Sequence, residues 1–251
     1  MTDIIIPEIF KQFPNVISGI STKIGGNASA HFCKNMSFTV GDKKENVLRN
    51  REMFFNSLGI TSRNISFQRQ THSVNSNYVK EKSFFEDSDA LYTDIPGNFI
   101  AVSIADCIPV LIYESDKKVV AGIHSGWKGT CAGISRKTLR DLQNRFDIRA
   151  ENVYAYIGPG ISFDNFQVGM DVYYLFPHEV KKIKNGIYYV DLKKNIYNQL
   201  VDFGVKSYNI EMPDLCTYKE KNTFHSYRRD REKSGRMLAV IGMSEKSSVL
   251  F

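Results

Sequence analysis

The chain has 251 residues, 42% of them apolar and 12% aromatic, enough to bury a sizeable core within the length that large single α/β domains occupy. A formal net charge of +6 and a pI near 9.0 favour contact with phosphates or other anions, yet the basic residues are scattered rather than gathered into long runs. No apolar stretch approaches the roughly 20 residues that a membrane span needs, so no membrane partner is expected.

In chain order, "MTDIIIPEIFKQF" carries acidic residues early and only a short apolar run, so it fails as a signal peptide. Residues 43–58, "KKENVLRNREMFFNSL", put Val47, Phe54 and Leu58 at helical spacing, with Asp42 as the expected cap and Gly59 as the stop. From 99 to 123 the runs "FIAVSI", "IPVLIY" and "VVAGI" predict adjacent buried strands, broken at "ADC" and "ESDKK". "ISRKTLRDLQNRF" predicts a helix over 134–146, and "VYAYIGPGIS" a strand followed by a tight Gly-Pro-Gly turn. "NIYNQLVDFG" predicts a short helix closed by Gly204, and "MLAVIGM" a further strand. The expected fold class is α/β in the mixed α+β sense, one domain over 1–251 whose mixed sheets are flanked by helices without strict βαβ alternation.

The four cysteines, Cys33, Cys107, Cys131 and Cys216, lie far apart with no CxxC pair, which favours reduced thiols and a cytoplasmic location. Among the five histidines, His31 reads as a surface residue, His178 as structural or exposed, and His225 as ambiguous. His72, in "QRQTHSVNS", and His124, in "AGIHSGWKGT", have more telling surroundings. His124 ends an apolar strand and is followed by Gly126, Trp127 and Gly129 before a helix, a place where backbone amides either hold an anion or merely shape a turn. Asp106 and Cys107 interrupt a buried strand. A buried carboxylate without a partner is costly, so Asp106 requires a specific one, and a metal-bound histidine is one such partner. The densest basic cluster, "YRRDREKSGR" at 227–236, reads equally as a solvated loop or an anion site; no nucleic-acid motif accompanies it.

Taken together, "QTHS" (70–73), "SDALYTDIPG" (88–97), "ADCIPV" (105–110), "HSGWKGT" (124–130), "IGPGIS" (157–162) and "FHSYRRD…SGR" (224–236) resemble the YfiH-type family, also called the laccase-domain or multicopper polyphenol oxidoreductase family. The resemblance runs from "GISTKIGG" at 19–26 almost to the C-terminus. It implies a YfiH-like fold and one zinc ion bound jointly by His72, Cys107 and His124. Two neutral imidazoles and a thiolate would leave about one positive charge on such a centre, with a position open to water whose pKa falls toward about 7. The implied activity is phosphorolysis of adenosine, inosine, guanosine and methylthioadenosine to base and ribose 1-phosphate, with hydrolytic deamination of adenosine beside it.

On that resemblance, Lys23, Lys128, Arg228 and Arg229 are the candidate phosphate-binding cations, and Asp106 completes the catalytic set by supporting the metal or its loop. Asn35 and Ser37, in "KNMSF", are candidates to touch the nucleoside, and Trp127 and Tyr227 offer stacking surfaces. The expected partners are a purine nucleoside and phosphate, with no nucleic acid and the oligomeric state left open. Cys33, Cys131 and Cys216 are expected outside the ligand set, with Cys216 near the pocket. The chain departs from the family pattern where Lys23 and Lys128 replace arginines, where Ser125 replaces alanine, and where His225 stands for an aromatic residue; lysine keeps the charge but loses the planar fork. Other readings are a copper-dependent phenol oxidase, a cysteine hydrolase with Cys107 as nucleophile and His72 or His124 as base, a peptidoglycan-precursor editing factor, and a zinc-stabilised module without catalysis. Five histidines with no HxH pair cannot build a trinuclear copper cluster, although a mononuclear site remains open.

Overall fold

Short runs rich in β-branched and aromatic residues form strands here, and the side-chain parity along each strand decides the layers. The computed structural model describes residues 3–25 and 31–245. Its longer elements are β1 (Val16–Ser21), α1 (Lys44–Ser57), β2 (Ile65–Gln68), β3 (Ala90–Thr93), β4 (Phe99–Ile104), β5 (Ile108–Glu114), β6 (Val119–Ser125), α2 (Trp127–Cys131), α3 (Ile134–Phe146), β7 (Val153–Ile157), α4 (Leu192–Phe203), α5 (Tyr227–Asp230) and β8 (Met237–Met243). One sheet runs Ile4–Ile5, β1, β8, β4, β2, Phe84–Phe85, and a second runs Ile210–Glu211, β7, β5, β6, β3, Ser76–Tyr78. Each mixes parallel and antiparallel pairs: β2 is parallel to β4 while β4 is antiparallel to β8, and β5–β6 is an antiparallel hairpin.

Both sheets are covered on both faces, which is why their strands read as nearly unbroken apolar text. On β4, Ile100, Val102 and Ile104 point between the sheets, where they meet Leu111 and Tyr113 of β5 and Ala239 and Ile241 of β8 in one core. Phe99 and Ala101 point the other way, into a core with Phe54 and Phe55 of α1. Val110 and Ile112 of β5 and Ala121 and Ile123 of β6 face outward onto Leu139 and Leu142 of α3 and Ile196 and Leu200 of α4. The result is a mixed α/β domain layered helix, sheet, sheet, helices. Gly122 lets the sheets approach: a Cβ there would lie 2.9 Å from Ile100 Cγ2 and 3.2 Å from Val102 Cγ2.

Several expectations shift. Asp42 does not cap α1. Lys43 occupies that position, and the Asp42 carboxylate accepts from the Lys43 amide (2.8 Å) and the Asn46 side chain (3.1 Å) just ahead of the helix. Gly59 (φ +69°) and Gly204 (φ +111°) do terminate their helices in the left-handed region. α4 begins at Leu192, ahead of the expected start at Asn195, because Asp191 accepts from the Lys194 amide at 2.9 Å. "IGPG" makes no tight turn. Gly158 N donates to Pro109 O and Ile161 N to Asp106 O, both at 2.9 Å, so the chain continues alongside the loop that carries Asp106 and Cys107. A third sheet, Gln167–Val168, Ile187–Val190 and Lys181–Lys184, has no counterpart in the sequence expectations. Among the described residues, no helix is long and apolar enough to cross a membrane.

Candidate metal centre

Two loops and a strand end converge where the strands of both sheets end. His72 follows β2, Cys107 lies between β4 and β5, and His124 is the penultimate residue of β6. One donor atom from each, and no other such trio among the described residues, lies within 4.8 Å of its two companions. Cys107 Sγ stands 3.8 Å from His72 Nε2, and the two imidazoles meet edge to face with centroids 5.0 Å apart. His124 is buried, Cys107 half-buried and His72 exposed, so the trio is closed beneath and open on the His72 side. His72 (φ +61°) and Asp106 (φ +86°) both occupy the left-handed region, a local strain of about 1–3 kcal/mol each that the surrounding bonds maintain.

The donor set suits a soft or borderline divalent ion. Gly126 shapes the cradle, since a Cβ there would fall 2.6 Å from His72 Cδ2 and 3.1 Å from Cys107 Sγ. Burial pushes the Cys107 thiol up, but the facing His124 charge and hydrogen bonds from both imidazoles outweigh it and hold the thiol well below its usual range. Burial likewise disfavours a charged His124, and here the Cys107 thiolate and the Asp89 carboxylate prevail, raising it. The trio therefore presents a thiolate at neutral pH, the form that binds metal.

Asp89 organises the site, and the sequence reading did not single it out. Fully buried just before β3, it takes His124 Nδ1 at 2.7 Å, the His72 amide at 3.1 Å, and the Ser73 amide and hydroxyl at 2.7 and 2.8 Å. Burial opposes its charge, but these hydrogen bonds, led by that of His124, bring its carboxyl far below the ordinary range. Binding Nδ1 leaves His124 Nε2 facing the thiolate. The position behind the histidine that the sequence reading offered to Asp106 thus belongs to Asp89. Asp106 instead accepts from Thr217 Oγ1 (2.7 Å) and the Arg228 amide (2.6 Å), tying the Cys107 loop to the C-terminal segment.

The other candidates separate by what their polar atoms already do. Arg229 commits its guanidinium to Asp230 and to the carbonyls of Thr217, Tyr218 and Phe224. Arg228 Nη1 donates to Gln167 O at 2.8 Å, and Lys128 is exposed with Nζ 5.6 Å from the Trp127 ring centroid. Burial and the neighbouring Arg229 lower the Lys23 ammonium pKa. Asn35 and Ser37 are buried and bonded to each other, to Asp42, to Thr39 and to the Arg236 amide, so they brace a loop. Trp127 is half-buried against the α3–α4 core, and Tyr227 is exposed. Among the other thiols, Cys33 bonds the Lys23 carbonyl and Cys131 that of Leu175, whereas buried Cys216 accepts from the Ser162 amide beneath the Asp106 loop. His31 and His178 are exposed.

His225 is a packing residue, 1% exposed, with Nε2 2.8 Å from Cys33 O and its amide on Met237 Sδ. Burial, reinforced by Lys23 and Arg236 and only partly offset by the Cys33 carbonyl and Asp230, brings its pKa down to about 4 from 6.5. The neutral ring's contribution is complete above pH 6.5 and is lost as the pH falls toward 4, a loss of about 3 kcal/mol. In urea unfolding at pH 7 and pH 4, His225→Phe should therefore lose less stability than the parent by about that amount.

Comparison with known proteins identifies the family and the fold. Residues 17–244 match the family described as multi-copper polyphenol oxidoreductase laccase. A purine nucleoside phosphorylase of Bacteroides thetaiotaomicron is 32% identical, covering 93% of this chain and 94% of its own, and the purine nucleoside phosphorylase YfiH of Escherichia coli is 32% identical over 96% and 99%. The crystal structure of YlmD from Geobacillus stearothermophilus superposes with a TM-score of 0.87 at 30% identity, covering 94% of each chain; that of Bacillus licheniformis YfiH gives 0.88 at 30%, covering 97% of each. With its convergent His-Cys-His trio on this fold, the chain belongs to the YfiH-type laccase-domain family.

Proposed function

We propose that this chain is a zinc-dependent purine nucleoside phosphorylase of the cytoplasm that also deaminates adenosine. The observation that carries the reading is the open-sided His72, Cys107 and His124 trio, in a chain whose relatives are named purine nucleoside phosphorylases. When bound, zinc supplies Lewis acidity and lowers the pKa of water near it, which the deamination of adenine C6 requires. The chain's own residues do the rest. Asp89 holds His124 in one tautomer and His72 at its backbone, so the donors need not reorganise. Trp127, directly after Gly126, offers a face for the purine, and basic side chains neutralise the phosphate. In phosphorolysis a phosphate oxygen bonds to the anomeric carbon as the glycosidic C–N bond breaks; the electron pair leaves with the base, which takes up a proton.

Incubation of the zinc-loaded protein with adenosine, with and without phosphate, tests this when adenine, inosine and hypoxanthine are resolved by chromatography. Adenine should form only with phosphate, and inosine in both cases. Reloading stripped protein separately with zinc and copper distinguishes the oxidase reading, and turnover of adenosine with copper alone would overturn the zinc assignment.

A further inference from the structure

Of the four cations named on sequence grounds, Lys23 and Lys128 are ammonium groups without a planar fork, and the two arginines already donate to protein acceptors. Arg229 is committed internally, the Arg228 fork is drawn to Gln167 O, and Lys128 lies in solvent. Arg236, absent from the candidates named on sequence grounds, is a further cation that, like Arg228, is held by protein acceptors only through Nη1. Its guanidinium is half-buried and held from one side only, Nη1 donating to Ser234 O at 2.8 Å and to Gly235 O at 3.0 Å. Nε and Nη2, the side-on edge that matches two oxygens of an oxyanion, meet no acceptor among the described residues. The Tyr227 ring lies 5.5 Å from Arg236 Cζ, and the next residue, Arg228, gives its amide to Asp106, neighbour of Cys107.

The backbone at Arg236 is fixed as firmly. Its amide donates to Asn35 Oδ1 at 2.9 Å and its carbonyl accepts from Met36 N at 3.0 Å. The preceding Gly235 has no room for a side chain, since a Cβ would lie 2.6 Å from the His225 ring. Burial lowers the Arg236 pKa, and Cys107, Asp106 and Tyr227 oppose that shift.

We propose that Arg236 grips inorganic phosphate beside the metal centre, presenting Nε and Nη2 to two of its oxygens, with the Tyr227 ring beside its Cζ. This rests on the phosphorolysis reading, and it gives Asn35 a role as a positioning residue that acts through Arg236. Calorimetric titration of the metal-loaded protein with inorganic phosphate, together with the KM values for phosphate and inosine, tests it in the parent, Arg236→Lys, Arg236→Gln and, as a control, the exposed Lys233→Gln. Both Arg236 variants should weaken phosphate binding and raise its KM by about tenfold or more, Gln more than Lys, with the KM for inosine changed by less than about threefold. The control should match the parent.

Unchanged phosphate affinity in either Arg236 variant that retains the parent's circular dichroism would overturn the assignment, as would a parent that binds no phosphate. Phosphate binding that depends on Arg236 in a protein that consumes no nucleoside would sink the phosphorylase reading and leave the anion site standing.

Discussion

Gly126→Ala is expected to abolish metal binding and nucleoside turnover while the protein stays folded. Gly126 has φ −76° and ψ 171°, angles that alanine adopts without strain, so the substitution acts only through its methyl group. That group would fall 2.6 Å from His72 Cδ2, and the exposed His72 ring can escape only by leaving the trio. A two-ligand remnant binds far more weakly, so metal per chain measured by mass spectrometry should fall at least about tenfold. Unfolding free energy of the metal-free protein should move by less than about 1 kcal/mol. Parental metal content in the variant would mean that the His72 loop yields without cost.

Asp89→Asn should damage both the site and the fold. The carboxylate accepts from the amides of Thr71, His72 and Ser73, the Ser73 hydroxyl and His124 Nδ1, all within 3.1 Å. An amide turns one of those acceptor oxygens into a donor facing other donors, at a fully buried position. Loss of a buried, multiply bonded carboxylate costs about 3 kcal/mol, and loss of the group orienting a ligating histidine costs roughly 10–100-fold in metal affinity. Denaturant unfolding of the metal-free protein reads the first effect, and competition with a chelator reads the second. The two should appear together, since the same oxygens shape the His72 loop and hold the His124 ring.

The candidate His-Cys-His trio was legible because each member sits in a short, unusual string: QTHS, ADC and HSGW. Asp89 was harder to see. It lies in the quoted segment "SDALYTDIPG", but which carboxylate backs the histidine depends on pairing β3 with β6, where Ala90 opposes Ile123. Asp106, adjacent to a ligand in sequence, drew the assignment that a partner adjacent in space holds. Cations were legible only as charges; that Arg229 is committed to carbonyls while Arg236 keeps one edge free follows from tertiary contacts. Strands β4 to β8 were visible as apolar runs, whereas β1, β2, β3 and the short edge strands were not, and the hairpin of the third sheet was masked by "KKIK". Its turn carried a signal that was overlooked: Asn185 and Gly186, at φ +51° and +74°, form the Asn-Gly pair that tight hairpins favour.

The placement of β8 bears on the order in which the molecule assembles. Residues 237–243 lie between β1 and β4, so the strand leading into the Cys107 loop gains its neighbour on that side only once a segment far downstream in sequence has docked. Pairings across so long a stretch of sequence close slowly. The loop that carries Cys107 therefore gains its full support late in folding, when residues 237–243 dock beside β4.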